Sequence, residues 1–110
     1  MVAQFVPDRG DFVWIDFDPQ SGHEQKGKRP ALVISPKNYN RTVGLCLLCP
    51  ITNQSKGYPF EVYTESKIVS GVILSDHIKS LDWKARKATF IAKASASTIN
   101  DVLAKLNTLL

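Results

Sequence analysis

What the sequence has little of narrows it first. No apolar stretch approaches the roughly 20 residues that a membrane-spanning helix requires, and the longest runs are short pieces such as that from Val43 to Pro50. The opening "MVAQFVPDRGD" has neither the basic start nor the apolar stretch of about 7 to 15 residues that marks a secretory signal. A cytoplasmic location without membrane contact is therefore expected. Cysteine is scarce: Cys46 and Cys49 are the pair, too few for a disulfide scaffold. Residues three apart on a strand point to opposite faces, so these two cannot easily share a metal or close a disulfide, and buried thiols are expected. Zinc would also need His23 and His77 to converge on both sulfurs, with no second close pair to support it. Internal repeats and low-complexity segments are absent too.

What is present is a chain of 110 residues, 44% of them hydrophobic, which predicts one domain over residues 1–110 with one core. The formal net charge of +4 favours polyanionic partners, nucleic acid or an acidic protein segment, although many inert basic proteins share that balance.

Apolar alternation predicts strands. "DFVWID" from Asp11 to Asp16 sets Phe12 and Trp14 against Val13 and Ile15, a strand covered at least partly on both faces, and Pro19 and Gly22 break it. A second strand is expected from Ala31 to Ser35, ended by Pro36, followed by a helical turn around Asn38. Leu45 to Ile51 reads as a buried third strand, and "PFEVY", "GVILS" and "ATFIA" as further ones. Only the tail changes period: Ile99, Val102, Leu103, Leu106 and Leu110 form the stripe of an amphipathic helix, with Ser95 or Ser97 to cap it and Asp101 near its positive end. Five or six short strands and one packed helix predict a strongly bent antiparallel sheet or partly open barrel.

Two loops carry the chemistry. The segment from Asp18 to Pro30 exceeds the usual hairpin length of about 2 to 5 residues and holds His23, Glu24, Lys26, Lys28 and Arg29 around Gly27. A solvated loop would be charged in any case. The second, "TNQSKGYP" at residues 52–59, combines hydroxyl, amide, cation and aromatic groups. Thr52, Asn53 and Gln54 can hold phosphate oxygens, Lys56 adds charge, and Tyr58 offers a face for an unpaired base. The plainer reading is a polar hairpin turned by Gly57 and Pro59.

The spaced set "GDFVWIDFDP", "HEQKGKRPALVIS", "PITNQSKGYPFEV" and "GVILSDHIKSLDW", with the final helix, resembles the MazF/PemK family of toxins over essentially the whole chain. The resemblance implies an SH3-like barrel, mainly β with a C-terminal helix, that dimerises. It implies a sequence-selective endoribonuclease that cuts single-stranded RNA, and so inhibits translation, without metal or cofactor. It implies neutralisation by a cognate antitoxin with an acidic, apolar-studded tail.

By that resemblance Glu24, Arg29 and Thr52 surround the scissile phosphate. RNA brings its own nucleophile, the 2′-hydroxyl, whose attack on phosphorus leaves a 2′,3′-cyclic phosphate and a free 5′-hydroxyl. The reaction needs a proton acceptor, a charge-holding cation and a proton for the leaving oxygen. Glu24 suits the first role, Arg29 with its planar fork the second, and Thr52 adds a neutral donor. A guanidinium is a poor acid near neutrality, so His23 is a second candidate for the last role. Asp76 is a further candidate: in one branch of the family an arginine two residues before this aspartate assists catalysis, but here that position is Leu74. Asn53 stands where some relatives have a second threonine, and Lys28 where one has histidine, so base preference is expected to differ. Lys28, Asn53, Gln54, Lys56, Tyr58 and Lys79 complete the expected substrate surface.

Other constellations are weaker. "DFD" at Asp16 to Asp18 lacks a third metal ligand nearby, and "SDH" at Ser75 to His77 cannot form a hydrolase relay because strand neighbours point apart. Trp14 and Trp83 are expected in the core or at an interface. The rival readings are a non-catalytic, gyrase-binding toxin of the CcdB type, whose C-terminal tryptophan this chain lacks, and a peptide-binding SH3-like module, whose clustered aromatics it lacks.

Overall fold

The computed structural model describes residues 4–17, 27–64 and 66–110. Seven strands form one antiparallel sheet in the order β4-β5-β3-β2-β1-β7, with β6 also pairing β3. The strands are β1 (Asp11–Asp16), β2 (Lys28–Val33), β3 (Cys46–Thr52), β4 (Glu61–Tyr63), β5 (Val72–Leu74), β6 (Lys79–Leu81) and β7 (Thr89–Lys93). Helix α1 (Lys37–Val43) sits between β2 and β3, and α2 (Ala96–Asn107) follows β7. This is the expected mainly β, open barrel-like architecture with its C-terminal helix.

Strand β3 organises the sheet. One edge pairs with β2, while its other edge pairs with β6 at Cys46 to Leu48 and with β5 at Ile51 and Thr52. Sharing one edge between two short strands bends the sheet and turns its two faces into two apolar clusters. One, with Phe12, Leu32, Cys49, Ile51 and Ile73, is closed by Val102 and Leu106 of α2. The other holds Val13, Ile15, Val33, Cys46, Leu48 and Trp83. Cys46 and Cys49 are free and buried in different clusters, as their spacing predicts. Burial pushes both thiols up to about 12, with the Asp76 charge adding to the effect at Cys49. Neither is a nucleophile near neutrality.

Several expectations shift. Strand β2 begins at Lys28, not Ala31, because the β1 ladder runs on through Trp14↔Pro30 and Ile15↔Arg29 to Asp16↔Lys28. The turn near Asn38 is a full helix, ended by Gly44 at φ 82, a left-handed conformation that glycine adopts without steric cost. Ser95 caps α2 by accepting from the Thr98 amide, and the helix stops at Asn107, leaving Leu110 91% exposed rather than on the packed stripe. Trp83 is buried, but Trp14 is 44% exposed.

A buried polar knot ties the N-terminal segment to this frame. Asn40 of α1 donates from Nδ2 to the Pro7 carbonyl at 2.8 Å and the Ser35 carbonyl at 3.0 Å. Its Oδ1 accepts from Ser35 Oγ, which itself accepts from the Leu47 amide, and its carbonyl accepts from Trp83 Nε1 at 2.9 Å. Every polar group of Asn40 named here is therefore satisfied away from water. Asn40→Ala should cost about 2 to 4 kcal/mol, since it strands two buried carbonyls and one hydroxyl. Urea unfolding would show it as a lower midpoint at unchanged slope; a change below about 0.5 kcal/mol, the scale of ordinary surface substitutions, would contradict the assignment.

Candidate RNA-binding cleft

The β2–β3 register is Ala31↔Pro50, Leu32↔Cys49 and Val33↔Leu48. Continued by two residues, it sets Arg29 across from Thr52. The ladder stops short of that level, where Pro30 on β2 and Pro50 on β3 have no N–H to give. Thr52 pairs with Val72 of β5 on the other edge of β3. At this end of the two strands opens a cleft of about 690 Å³ that both Arg29 and Thr52 line. Gly71 allows β5 to begin this close to Thr52: its φ is +125, and a Cβ there would lie 2.4 Å from the Thr52 carbonyl oxygen.

The cleft is cationic and partly aromatic. Arg29, Lys56, Lys79 and His77 share its walls with Tyr58, Phe17 and the carboxylates Glu61 and Asp76. Of the residues expected to bind substrate, Gln54, Lys56, Tyr58 and Lys79 line it, and Asn53 joins Arg29, Thr52 and Gln54 around an adjoining hollow. Lys28 is not among the lining residues; it lies in β2 opposite Asp16. Glu24 and His23 lie outside the described residues. The segment that carries them leaves and returns at the cleft, since Phe17 and Gly27 both line it and the Phe17 amide donates to the Gly27 carbonyl at 2.7 Å. Arg86 Nη1 donates to the Asp16 and Phe17 carbonyls at 3.2 and 3.0 Å and fixes that departure point.

Asp76 holds the far wall. Its Oδ1 accepts from the Tyr58 hydroxyl at 2.6 Å and lies 3.8 Å from His77 Nε2. Loss of solvent, then the hydrogen bond to Asp76 and the charges of Asp76 and Glu61, push the Tyr58 phenol from its ordinary 10.0 up to about 12. Tyr58 is therefore a neutral hydroxyl at any physiological pH. Ser75, by contrast, is wholly buried while His77 is exposed, so the "SDH" run forms no relay. Among the described residues, no group of three or more His, Cys, Asp or Glu is placed to hold a metal ion.

Two cleft residues escaped the sequence reading. His77 was set aside with that run, and Glu61 reads simply as the polar member of an alternating strand. The only signal for Glu61 is its place a few residues after the polar loop that it turns out to bind.

A small bent β-sheet that presents an arginine, lysines and hydroxyl donors in one open trough is a frame for an anionic polymer. Residues 8–110 match the family model described as PemK-like, MazF-like toxin of type II toxin-antitoxin system. The chain is 48% identical over 110 residues to the endoribonuclease toxin MazF of Escherichia coli K12, covering all of this chain and 99% of that protein. It is 37% identical over 112 residues to the endoribonuclease toxin ChpB of the same strain, covering 96% of each. The crystal structure of MazF (Form-I) from Deinococcus radiodurans superposes with a TM-score of 0.87 at 51% identity, over 96% of this chain and 97% of that one. The chain belongs to the PemK-like, MazF-like family of type II toxins.

The Tyr58–Asp76 pair gives a direct test. A phenol whose folded pKa is raised contributes its bond below the unfolded value and loses it as pH rises through the folded one. In a spectrophotometric titration, Tyr58→Phe should therefore remove an ionisation near pH 12. Removal of one near 10.0 would mean that the bond does not form in solution.

Proposed function

We propose that residues 1–110 form a single toxin domain, a sequence-selective endoribonuclease that cuts single-stranded RNA and so halts translation. The observation that carries this reading is the convergence of Arg29 and Thr52 on one cationic cleft in a chain of this toxin family. Glu24 takes the proton of the substrate 2′-hydroxyl. That oxygen bonds to the adjacent phosphorus, the bond from phosphorus to the 5′-oxygen breaks, and the leaving oxygen takes up a proton. The products are a 2′,3′-cyclic phosphate and a free 5′-hydroxyl. Because the attacking oxygen belongs to the RNA, no metal-activated water and no cofactor is required.

Arg29 grips the phosphate oxygens as charge accumulates on them, and Thr52 donates one more hydrogen bond. His23 is the better candidate for the leaving-group proton, since imidazole exchanges protons near neutrality and guanidinium does not. Asp76 is held by Tyr58, which suits it to reading a base edge rather than to moving protons. Asn53, Gln54, Lys56 and Lys79 would track the strand. Action on messenger RNA would put the protein in the cytoplasm.

The partner is a cognate antitoxin. A MazE-MazF complex from Deinococcus radiodurans contains a chain that superposes at a TM-score of 0.86 with 46% identity. An acidic antitoxin tail lying along the cationic cleft would exclude RNA, and the toxin would act as a homodimer.

Purified protein should cut a long transcript at one short word, and the new 5′ ends should accept phosphate from polynucleotide kinase without prior dephosphorylation. Blocked 5′ ends, already phosphorylated, would contradict the mechanism. Arg29→Ala should lower kcat/KM by about a hundredfold or more, and Glu24→Gln should be similarly damaging. Arg29 is exposed, so Arg29→Ala should leave stability within about 0.5 kcal/mol, as surface changes do. Normal cutting by both variants would place the chemistry elsewhere.

A further inference from the structure

Residues 53–58 form one wall of the cleft, yet they lie outside every strand and helix. Their conformation rests on side-chain contacts, and three hydrogen bonds from the middle of the loop converge on one carboxylate. Glu61 Oε1 accepts from Ser55 Oγ at 2.7 Å and from the Gly57 amide at 3.0 Å, while Oε2 accepts from the Lys56 amide at 2.8 Å. The Tyr63 hydroxyl, 3.1 Å from Ser55 Oγ, donates into the same chain, because the Ser55 proton is already given to Glu61. Gly57 adopts φ +74, which lets two successive amides aim at a single anion.

We infer that Glu61 is a positioning residue for RNA recognition: its carboxylate fixes Lys56 and Tyr58 in the cleft and thereby sets affinity and base discrimination, without touching the reacting atoms. This rests on the endoribonuclease reading above. Lys56 and Tyr58 flank Gly57, and both line the cleft. The loop is held at three points: Gln54 donates its amide to Thr52 Oγ1 at 3.2 Å, Glu61 binds the middle, and Tyr58 donates to Asp76 at 2.6 Å. Removing the middle point frees the two side chains that meet phosphate and base. RNA would then have to order them itself, which weakens binding.

The Lys56 amide first, then the Ser55 hydroxyl, the Gly57 amide and the Lys56 charge hold the Glu61 carboxyl below the usual carboxylate range, against a smaller opposing loss of solvent. A depressed folded pKa means that the grip is complete above the ordinary value and lost as pH falls through the folded one. The carboxylate thus stays charged wherever the enzyme works. Because its oxygens occupy the Lys56 and Gly57 amides, those two N–H groups are not free to hold phosphate, which falls to side chains such as Arg29, Lys56 and Lys79.

The test uses wild type and Glu61→Gln, a variant of equal size that offers only one accepting oxygen and turns an N–H toward the Lys56 amide. Binding is read with an oligonucleotide that carries the mapped cleavage word and a 2′-deoxy sugar at the cut position. Kd should rise about tenfold, the scale of one hydrogen bond to a charged group, and discrimination against words altered at one base should fall. With cleavable RNA, kcat should change by less than about threefold while KM follows Kd. Amide NMR signals of Lys56 and Gly57 should titrate with a midpoint below the ordinary glutamate value in wild type and lose that titration in the variant.

Unchanged Kd and unchanged discrimination would overturn the assignment, as would a fall in kcat at constant KM. Should Glu61→Gln fail to fold, Ser55→Ala removes one exposed donor to the same carboxylate and should weaken binding in the same direction by a smaller factor. Wild-type protein that cuts no RNA would sink the endoribonuclease reading itself, whereas amides that do not titrate would sink the Glu61 clamp alone.

Discussion

The arrangement depends on how the β2–β3 ladder ends. Antiparallel pairing fixes Ala31 opposite Pro50, and that register alone brings Arg29 and Thr52 to the same level from strands about 20 residues apart in sequence. Pro30 and Pro50 have no N–H to give where that ladder ends, and beyond it Arg29 and Thr52 both line the cleft. A slip of one residue would turn Arg29 or Thr52 to the opposite face. The apolar clusters resist that slip, because it would drive Leu32 and Cys49 out of one cluster and Val33 and Leu48 out of the other, and all four are wholly buried in the packing they have.

The rest of the cleft is built outward from that opening by contacts of decreasing regularity. Strand β5 pairs with Thr52 and packs Gly71 against its carbonyl. The loop at residues 53–58, which has no ladder of its own, borrows order from Glu61 and Asp76. Each step trades backbone pairing for side-chain contact, so rigidity comes from the sheet and adaptability from the loop. That division suits an enzyme whose chemistry needs one fixed cation and one donor, but whose specificity needs a shaped surface for unpaired bases.

How much of this was legible follows from which signals are local. Strands β1 and β3 and helix α2 announce themselves through apolar periodicity, and the opposite-facing cysteines and the Ser95 cap follow from spacing. The start of β2 does not, because "KGKRP" carries the composition of a loop while the β1 partner across the ladder, invisible in the sequence, draws Lys28 and Arg29 into a strand. Strand β6 is missed for a related reason: "KSL" is short, its Lys79 and Ser80 are exposed, and only the free edge of β3 makes it a strand. Among the site residues, Arg29 and Thr52 were read from a family pattern, whereas Glu61 acts through three hydrogen bonds that only a folded loop can create. Trp14 is expected in the core or at an interface, and its 44% exposure removes only the core, since alternation fixes its face but not what covers that face.

The most direct measurement is a crystal structure of the protein with an uncleavable oligonucleotide that carries a 2′-deoxy sugar at the mapped cut position. The phosphate that follows that sugar should lie between the strand ends, within about 3 Å of both the Arg29 guanidinium and the Thr52 hydroxyl. A well-ordered strand whose scissile phosphate lies away from this pair, with Arg29 and Thr52 still unengaged, would contradict the account.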